Sequence, residues 1–302
     1  MQTVYVIQTE MKKVVTSLGF YGCIIITFLV SFTAVLNHNF EKNADESIIN
    51  VFMNYNKSEL LSATNFSAYN VFEKGGNSWL SMFIPIIAAF SFIPLFCDQR
   101  ESKSIRYSAF RVNKLSYNSG NFITAFISGG LAVMVGYALF GIAIYFMFPS
   151  LSEYSLGMQT DFMEMLKFQS EGLSSAYSKV GMPILVIAQL IEMFLYGAFS
   201  AILAFLLASI MRNKYLVLCI PFFLKYMLNQ IVVKLYSQAF DNIENPKEIL
   251  ADIATIINPD AMNSIFNQNE YIFRIILLNV ILLSLAFFSY NIVMNRRLDC
   301  GD

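Results

Sequence analysis

The segment Phe122 to Phe148 reads FITAFISGGLAVMVGYALFGIAIYFMF, twenty-seven residues without one charged side chain. As a helix it would run about 40 Å at ~1.5 Å per residue, more than the ~30 Å hydrocarbon core of a bilayer. Five further stretches have the same character: Leu18 to Leu36, Trp79 to Cys97, Met182 to Met211, Tyr215 to Tyr236 and Tyr271 to Met294. The expected fold is therefore an all-α integral membrane protein, one transmembrane domain over residues 1–302 with six spans. Composition agrees, because 56% hydrophobic and 14% charged residues leave too little charge for a soluble domain, where about a quarter is usual. Leu18 to Leu36 behind Lys12 and Lys13 has the basic-then-apolar order of a signal peptide, but it is long for an h-region and no clear small-residue cleavage site follows, so it is read as span one.

The charges sort by side. Lys12, Lys13, Arg100, Lys103, Arg106, Arg111, Lys114, Arg212, Lys214, Arg296 and Arg297 fall in the segments on the side of the N-terminus, against five carboxylates. The three opposite loops, Asn37 to Ser78, Pro149 to Gly181 and Ser237 to Glu270, carry six lysines against fifteen carboxylates. An excess of Lys and Arg marks the cytoplasmic side, so both termini are expected there. None of Cys23, Cys97, Cys219 and Cys300 lies in the acidic loops, and no disulfide framework is expected.

Before span one, Val4, Ile7, Met11, Val14 and Leu18 recur at helical spacing with Gln8, Lys12 and Lys13 off the stripe. The pattern predicts an interfacial helix whose lysines meet anionic lipid headgroups. The opposite loops predict short amphipathic helices, such as Asp161 to Phe168, that cap the spans. Between spans two and three, Asp98 to Gly120 exceeds the few residues a helical hairpin needs and predicts a short projecting helix.

That last segment carries a resemblance. From Asp98 through Glu101, Ser102, Lys103, Ser104, Ile105, Arg106, Arg111 and Lys114 to Asn118-Ser-Gly120, the chain resembles the permease subunits of type-2 ABC exporters. Those proteins place a Glu, a Ser-Gly-Thr-like triplet, an Ile or Leu with a basic residue, a short apolar run and a basic turn after span two; Lys103 stands at their Gly. The six spans, the amphipathic N-terminal helix and Asn258-Pro259-Asp260 before the last span extend the likeness. The resemblance implies that residues 98–117 hold a coupling helix, with Glu101, Ser104, Ile105, Arg106, Arg111 and Lys114 docking on a separate ATP-binding subunit. It further implies pairing with a second permease copy or a homologous permease in the bacterial cytoplasmic membrane. The chain has no Gly-x-x-x-x-Gly-Lys-Ser/Thr cradle for phosphate, so ATP and magnesium belong to the partner subunit, and no cofactor is expected in the chain itself.

Polar residues within the spans complete the reading. Lys225, near the middle of span five, costs about 2.5–3.5 kcal/mol on insertion scales. With Asn229 and Gln230 it makes a polar stripe expected to face a substrate path or the second permease. Glu192 in span four and Lys234 in span five each lie twenty-one residues from Asn213, an equal depth that predicts a structural ion pair. Gly197, Ala201, Ala204 and Ala208, with Gly129, Gly130, Gly136 and Gly141, predict a close helix seam. The single histidine, His38, and the absence of an acid, base or metal cluster in the spans argue against an enzyme. A net charge of −1 gives no nucleic-acid footprint. The expected function is export of an amphipathic or hydrophobic substrate, such as a peptide toxin, antibiotic or lipid. The alternative is an ATP-independent membrane protein, either a secondary transporter or an immunity or scaffold protein.

Overall fold

The computed structural model describes residues 2–39, 44–77, 79–211, 213–241, 247–267 and 271–300. Of the described residues 86% are helical, and among them five helices are long and apolar enough to cross a membrane, six if one bent pair counts as a span. That pair is α1 (Gln2–Val15) and α2 (Leu18–Ser31), which meet at 63°. The bend has a local cause: Ser17 takes an extended conformation and its hydroxyl accepts from the Phe20 N–H, so a new helix is capped there. One face of α1, with Val6, Glu10 and Val14, is buried on the bundle, while Val4, Tyr5 and Leu18 stay exposed.

Span one is shorter than its apolar run. α2 stops at Ser31, and Val35–Asn39 (β1) pairs antiparallel with Ala44–Ser47 (β2), Val35 opposite Ser47 and Asn39 opposite Ala44. The polar run Asn37-His38-Asn39 finds ladder partners here that a helix in lipid could not offer. After β2 come α3 (Ile48–Asn54), α4 (Lys57–Leu60) and α5 (Ala68–Asn77).

Span two continues from α5 as α6 (Trp79–Phe90) and α7 (Ile93–Glu101), broken near Ser91 and Phe92 and carrying Pro85 inside α6 and Pro94 at the start of α7. The three pieces run antiparallel to α9 (Lys114–Met147), reached through α8 (Ser104–Arg111). The Ala68 N–H donates to the Pro149 carbonyl at 2.9 Å, the Tyr137 hydroxyl donates to the Phe72 carbonyl, and the Ser91 and Ser128 hydroxyls meet at 3.4 Å. The expected cap is thus partly an inserted helix, since α5 lies beside α9 and belongs to the bundle.

On the same side as β1 and β2, α10 (Leu156–Gln169) and α11 (Glu171–Val180) form a satellite core, in which Phe162 and Leu166 pack with Tyr69, Leu151 and Leu185 while Phe168 is exposed. The chain then crosses as α12 (Met182–Ile210), α13 (Lys214–Phe240) and, after α14 (Glu248–Ile257) and a 3-10 segment at Ala261–Asn267, α15 (Ile272–Cys300).

The centre of the bundle is the α9–α12 seam, and small residues make it possible. A Cβ added at Gly197 would lie 2.9 Å from the Gly129 carbonyl oxygen and 2.9 Å from Val133. A Cβ at Gly136 would lie 2.6 Å from the Ile24 carbonyl of α2. A backbone oxygen is among the atoms struck in both places, so side-chain rotation alone does not relieve the clash. Gly197→Val should therefore destabilise the bundle by about 3 kcal/mol or more, read as a lower melting temperature of the detergent-solubilised protein. Gly157→Ala in α10, where a Cβ meets nothing within 4 Å, should leave melting unchanged, and equal melting of both variants would refute the seam.

Candidate functional site

Proline geometry begins the site. Helical bonding would pair the Ser81 carbonyl with the N–H four residues on, but that residue is Pro85, which has none. The freed carbonyl accepts from the Lys225 ammonium and from the Tyr196 hydroxyl, the latter at 3.0 Å. Lys225 stands eleven residues into α13, about 16 Å from its start, and is only 6% exposed.

Asp260 completes the arrangement. Its Oδ1 lies 2.7 Å from Lys225 Nζ and shares with the Ser81 carbonyl the single proton of the Tyr196 hydroxyl, whose oxygen accepts from the Lys225 ammonium. Its Oδ2 accepts from the Asn229 amide at 3.2 Å. The ammonium also lies 4.7 Å from the Tyr196 ring centre, a distance at which a cation gains from the aromatic face. A freed carbonyl, a hydroxyl, an ammonium and a carboxylate thus satisfy one another where α6, α12, α13 and the segment before α15 meet. Charge-assisted bonds of this kind are stronger than neutral ones, and stronger still where water is excluded.

The chain reaches this depth because the expected cap folds inward. α14 packs along α13, with the Tyr236 and Thr255 hydroxyls 2.8 Å apart. Asn258-Pro259-Asp260 then turns, the Asn258 side chain accepting from the Asp260 N–H at 2.9 Å. The 3-10 segment returns along α12: the Asn263 amide donates to the Gly76 carbonyl at 3.1 Å, and the Phe266 N–H donates to the Glu192 carboxylate at 2.8 Å.

This last bond corrects one expectation. Glu192 and Lys234 form no ion pair. Equal depth on two antiparallel helices does not fix azimuth, and Glu192 faces the returning segment while Lys234 is exposed on α13. Of the polar stripe, Lys225 and Asn229 converge on Asp260, while Gln230 is exposed in a groove with Trp79, Ser81, Met82 and Tyr226. Beside Lys225 and Tyr196 opens a cavity of about 480 Å³ between α12, α13 and α15, roofed by Ile256, Ile257, Pro259 and Met262.

A second cluster occupies the far end of the bundle. Arg100 donates to the carbonyls of Ala208 and Met211, the latter at 2.6 Å, and Arg297 to that of Ile210 at 2.6 Å, so two arginines satisfy the last carbonyls of α12. Glu101 ends α7, exposed, and Lys103 adopts φ 57°, the one left-handed non-glycine conformation among the described residues. Ser104 donates to the Gln99 carbonyl at 3.1 Å, Ile105 and Ala109 are buried, Tyr107 and Arg111 are exposed, and Lys114 opens α9. Arg106 lies within α8, with its side chain outside the described part of the structure. On α1, the buried Glu10 carboxylate holds Lys13 at 2.6 Å and the Gln99 amide at 2.8 Å.

Asp260, Tyr196 and Ser81 were not candidates on sequence alone. The signals were present: a Pro four residues after Ser81, and an Asp directly after Pro259. Compared with known proteins, the chain matches no protein-family model, no curated protein and no solved structure. Asp260→Asn should leave the Lys225 charge buried without its counter-ion and cost about 3–5 kcal/mol. The double variant Lys225→Met with Asp260→Asn should regain much of that loss in a thermal unfolding cycle, and simple additivity of the two changes would show that the pair is not coupled.

Proposed function

We propose that the chain is the transmembrane permease subunit of an ATP-driven exporter, with ATP and magnesium bound by a separate subunit docked at α8. The observation that carries this reading is the turn at residues 101–104. The resemblance predicts a Gly where Lys103 stands, and Lys103 takes the left-handed conformation that glycine adopts without cost. A helix of eight residues follows with Ile105 and Ala109 turned to the bundle and Tyr107 and Arg111 turned away, a shape suited to insertion into a partner's groove. Arg100 ties α7 to the end of α12, so a displacement of α8 would be passed to the helix that carries Tyr196. The Lys and Arg distribution supports cytoplasmic termini, with α8 on the same side as the ATP pool. The substrate is amphipathic or hydrophobic, and the working unit pairs two permeases with two ATP-binding subunits in the cell membrane.

A second reading has one observation in its favour. A secondary transporter would carry ionisable groups at mid-depth and interrupted helices, and the Lys225–Asp260 pair beside the broken α6–α7 helix fits that description. Purification of the tagged chain from native membranes separates the two. The exporter reading expects vanadate-sensitive ATPase activity to co-purify, to fall at least tenfold with Glu101→Arg or Arg106→Glu at unchanged expression, and to persist in Lys103→Gly. Absence of ATPase activity from the wild-type preparation, or its full retention in both charge-reversed variants, would defeat it. Relief of left-handed strain should also make Lys103→Gly more stable than Lys103→Val by about 1–2 kcal/mol.

Orientation has its own test. With native cysteines replaced, single cysteines at the exposed positions Asn56, Ser175 and Glu248 should react on intact cells with a membrane-impermeant thiol reagent, and one at Asn113 should not. Labelling of Asn113→Cys from outside would invert the topology.

A further inference from the structure

The cavity between α12, α13 and α15 is a site in its own right. Its volume of about 480 Å³ falls in the ~300–1,000 Å³ range of small-ligand pockets. Aliphatic and aromatic side chains line most of it, among them Phe199, Leu203, Leu206, Leu228, Leu282 and Met262. Leu203, Leu228, Leu282 and Leu285 are at once lining residues and exposed at the surface, so the cavity opens sideways. The opening is flanked by the apolar outer faces of α13 and α15, where Phe223, Met227, Ile281 and Phe288 are exposed. An aqueous ligand would have no route along such faces, whereas a molecule dissolved in the bilayer would.

The inner wall decides the ligand's charge. Among the described residues Lys225 is the one charged side chain lining the cavity, and Asp260 neutralises it at 2.7 Å. The polar remainder, Tyr196, Ser200, Asn258, Asn279 and Ser289, offers hydrogen bonds without net charge. An anionic headgroup would have to compete with Asp260 for the ammonium, and a cationic one would meet no free carboxylate at the wall. We propose that this cavity binds the alkyl chain of an uncharged amphiphile that enters sideways from the bilayer between α13 and α15, its polar end resting at Ser200, one helical turn from Tyr196. The proposal deepens the exporter reading by naming a substrate class, yet it concerns binding by the chain alone, so it is tested without ATP or any partner.

The test uses three C16 photoaffinity probes with a diazirine at mid-chain: the alcohol, the carboxylate and the trimethylammonium. Each is added to the full-length protein in nanodiscs of uncharged lipid, and labelled peptides are mapped by mass spectrometry. The alcohol should label α12 and α15 around Leu203 and Leu282 at least fivefold more than either charged probe. Filling the cavity with Ser200→Phe or Ala286→Phe should cut that labelling tenfold, and Ile281→Phe on the outer face of α15 should leave it unchanged. In Asp260→Asn, where the ammonium loses its counter-ion, the carboxylate probe should overtake the alcohol. In the double variant Lys225→Met with Asp260→Asn, which retains neutrality and removes the risk that an unpaired charge prevents folding, the alcohol should again lead. Equal labelling by all three probes in the wild type, or labelling indifferent to both filling variants while their melting is normal, would overturn the proposal. Efficient disulfide formation between two copies through Leu282→Cys, with loss of alcohol labelling on cross-linking, would overturn it too, since the seam would then be a contact between protomers. Loss of ATPase co-purification with labelling intact would defeat the exporter reading alone.

Discussion

A carbonyl without its helical partner holds the centre of this protein together. Pro85 removes the N–H that Ser81 would have used, and in a setting with little water an unmet carbonyl costs free energy comparable to a lost hydrogen bond. Lys225 has the complementary problem, an ammonium among apolar helices. Each resolves the other, Tyr196 bridges them, and Asp260 supplies the counter-charge. Because the four groups come from four separated parts of the chain, their meeting fixes how α6, α12, α13 and the 258–267 segment sit against one another. The inward fold of that segment then follows, since Asp260 could not reach Lys225 from a loop resting above the spans.

The two ends of the bundle are built on different physics. At the β1–β2 end, inserted pieces such as α5 and the 258–267 segment bring backbone polar groups among the spans, and each is met by a specific side chain: Tyr137 at Phe72, Asn263 at Gly76, Glu192 at Phe266. At the α1–α8 end, charged side chains close helix termini. Arg100 and Arg297 cover the last carbonyls of α12, and Glu10 gathers Lys13 and Gln99. The first end is held by polar bonds inside a packed core, and the second by charged side chains at helix ends, of which Glu10 is buried and Lys13 stands at the surface.

Much of this was legible in the amino-acid order. Uninterrupted apolar length marked the spans, glycine and alanine spacing marked the α9–α12 seam, and the excess length after Cys97 marked α8. Lys225 stood out because its insertion cost is large whatever surrounds it. Its partner did not, for Asp260 counts as one more acidic residue in an acidic loop until the loop is seen to turn inward. Depth can be counted along a helix, but azimuth and re-entry depend on contacts between distant segments, which is why Glu192 was matched with Lys234 and not with a backbone N–H near Phe266. The end of α2 at Ser31 was hidden for a related reason: Phe32 to Leu36 is as apolar as a span, and only the turn after Ser31 and the pairing of residues 35–39 with 44–47 take it out of the helix.

The chain has a single tryptophan, and it sits two residues before the freed carbonyl. Trp79 lines the groove shared with Lys225, Tyr226 and Asn229 and stacks on Phe83 at 6.3 Å between ring centres. All indole emission from the molecule therefore originates beside the polar centre. Its wavelength and quenching give an optical record of hydration at that one place, with no label attached.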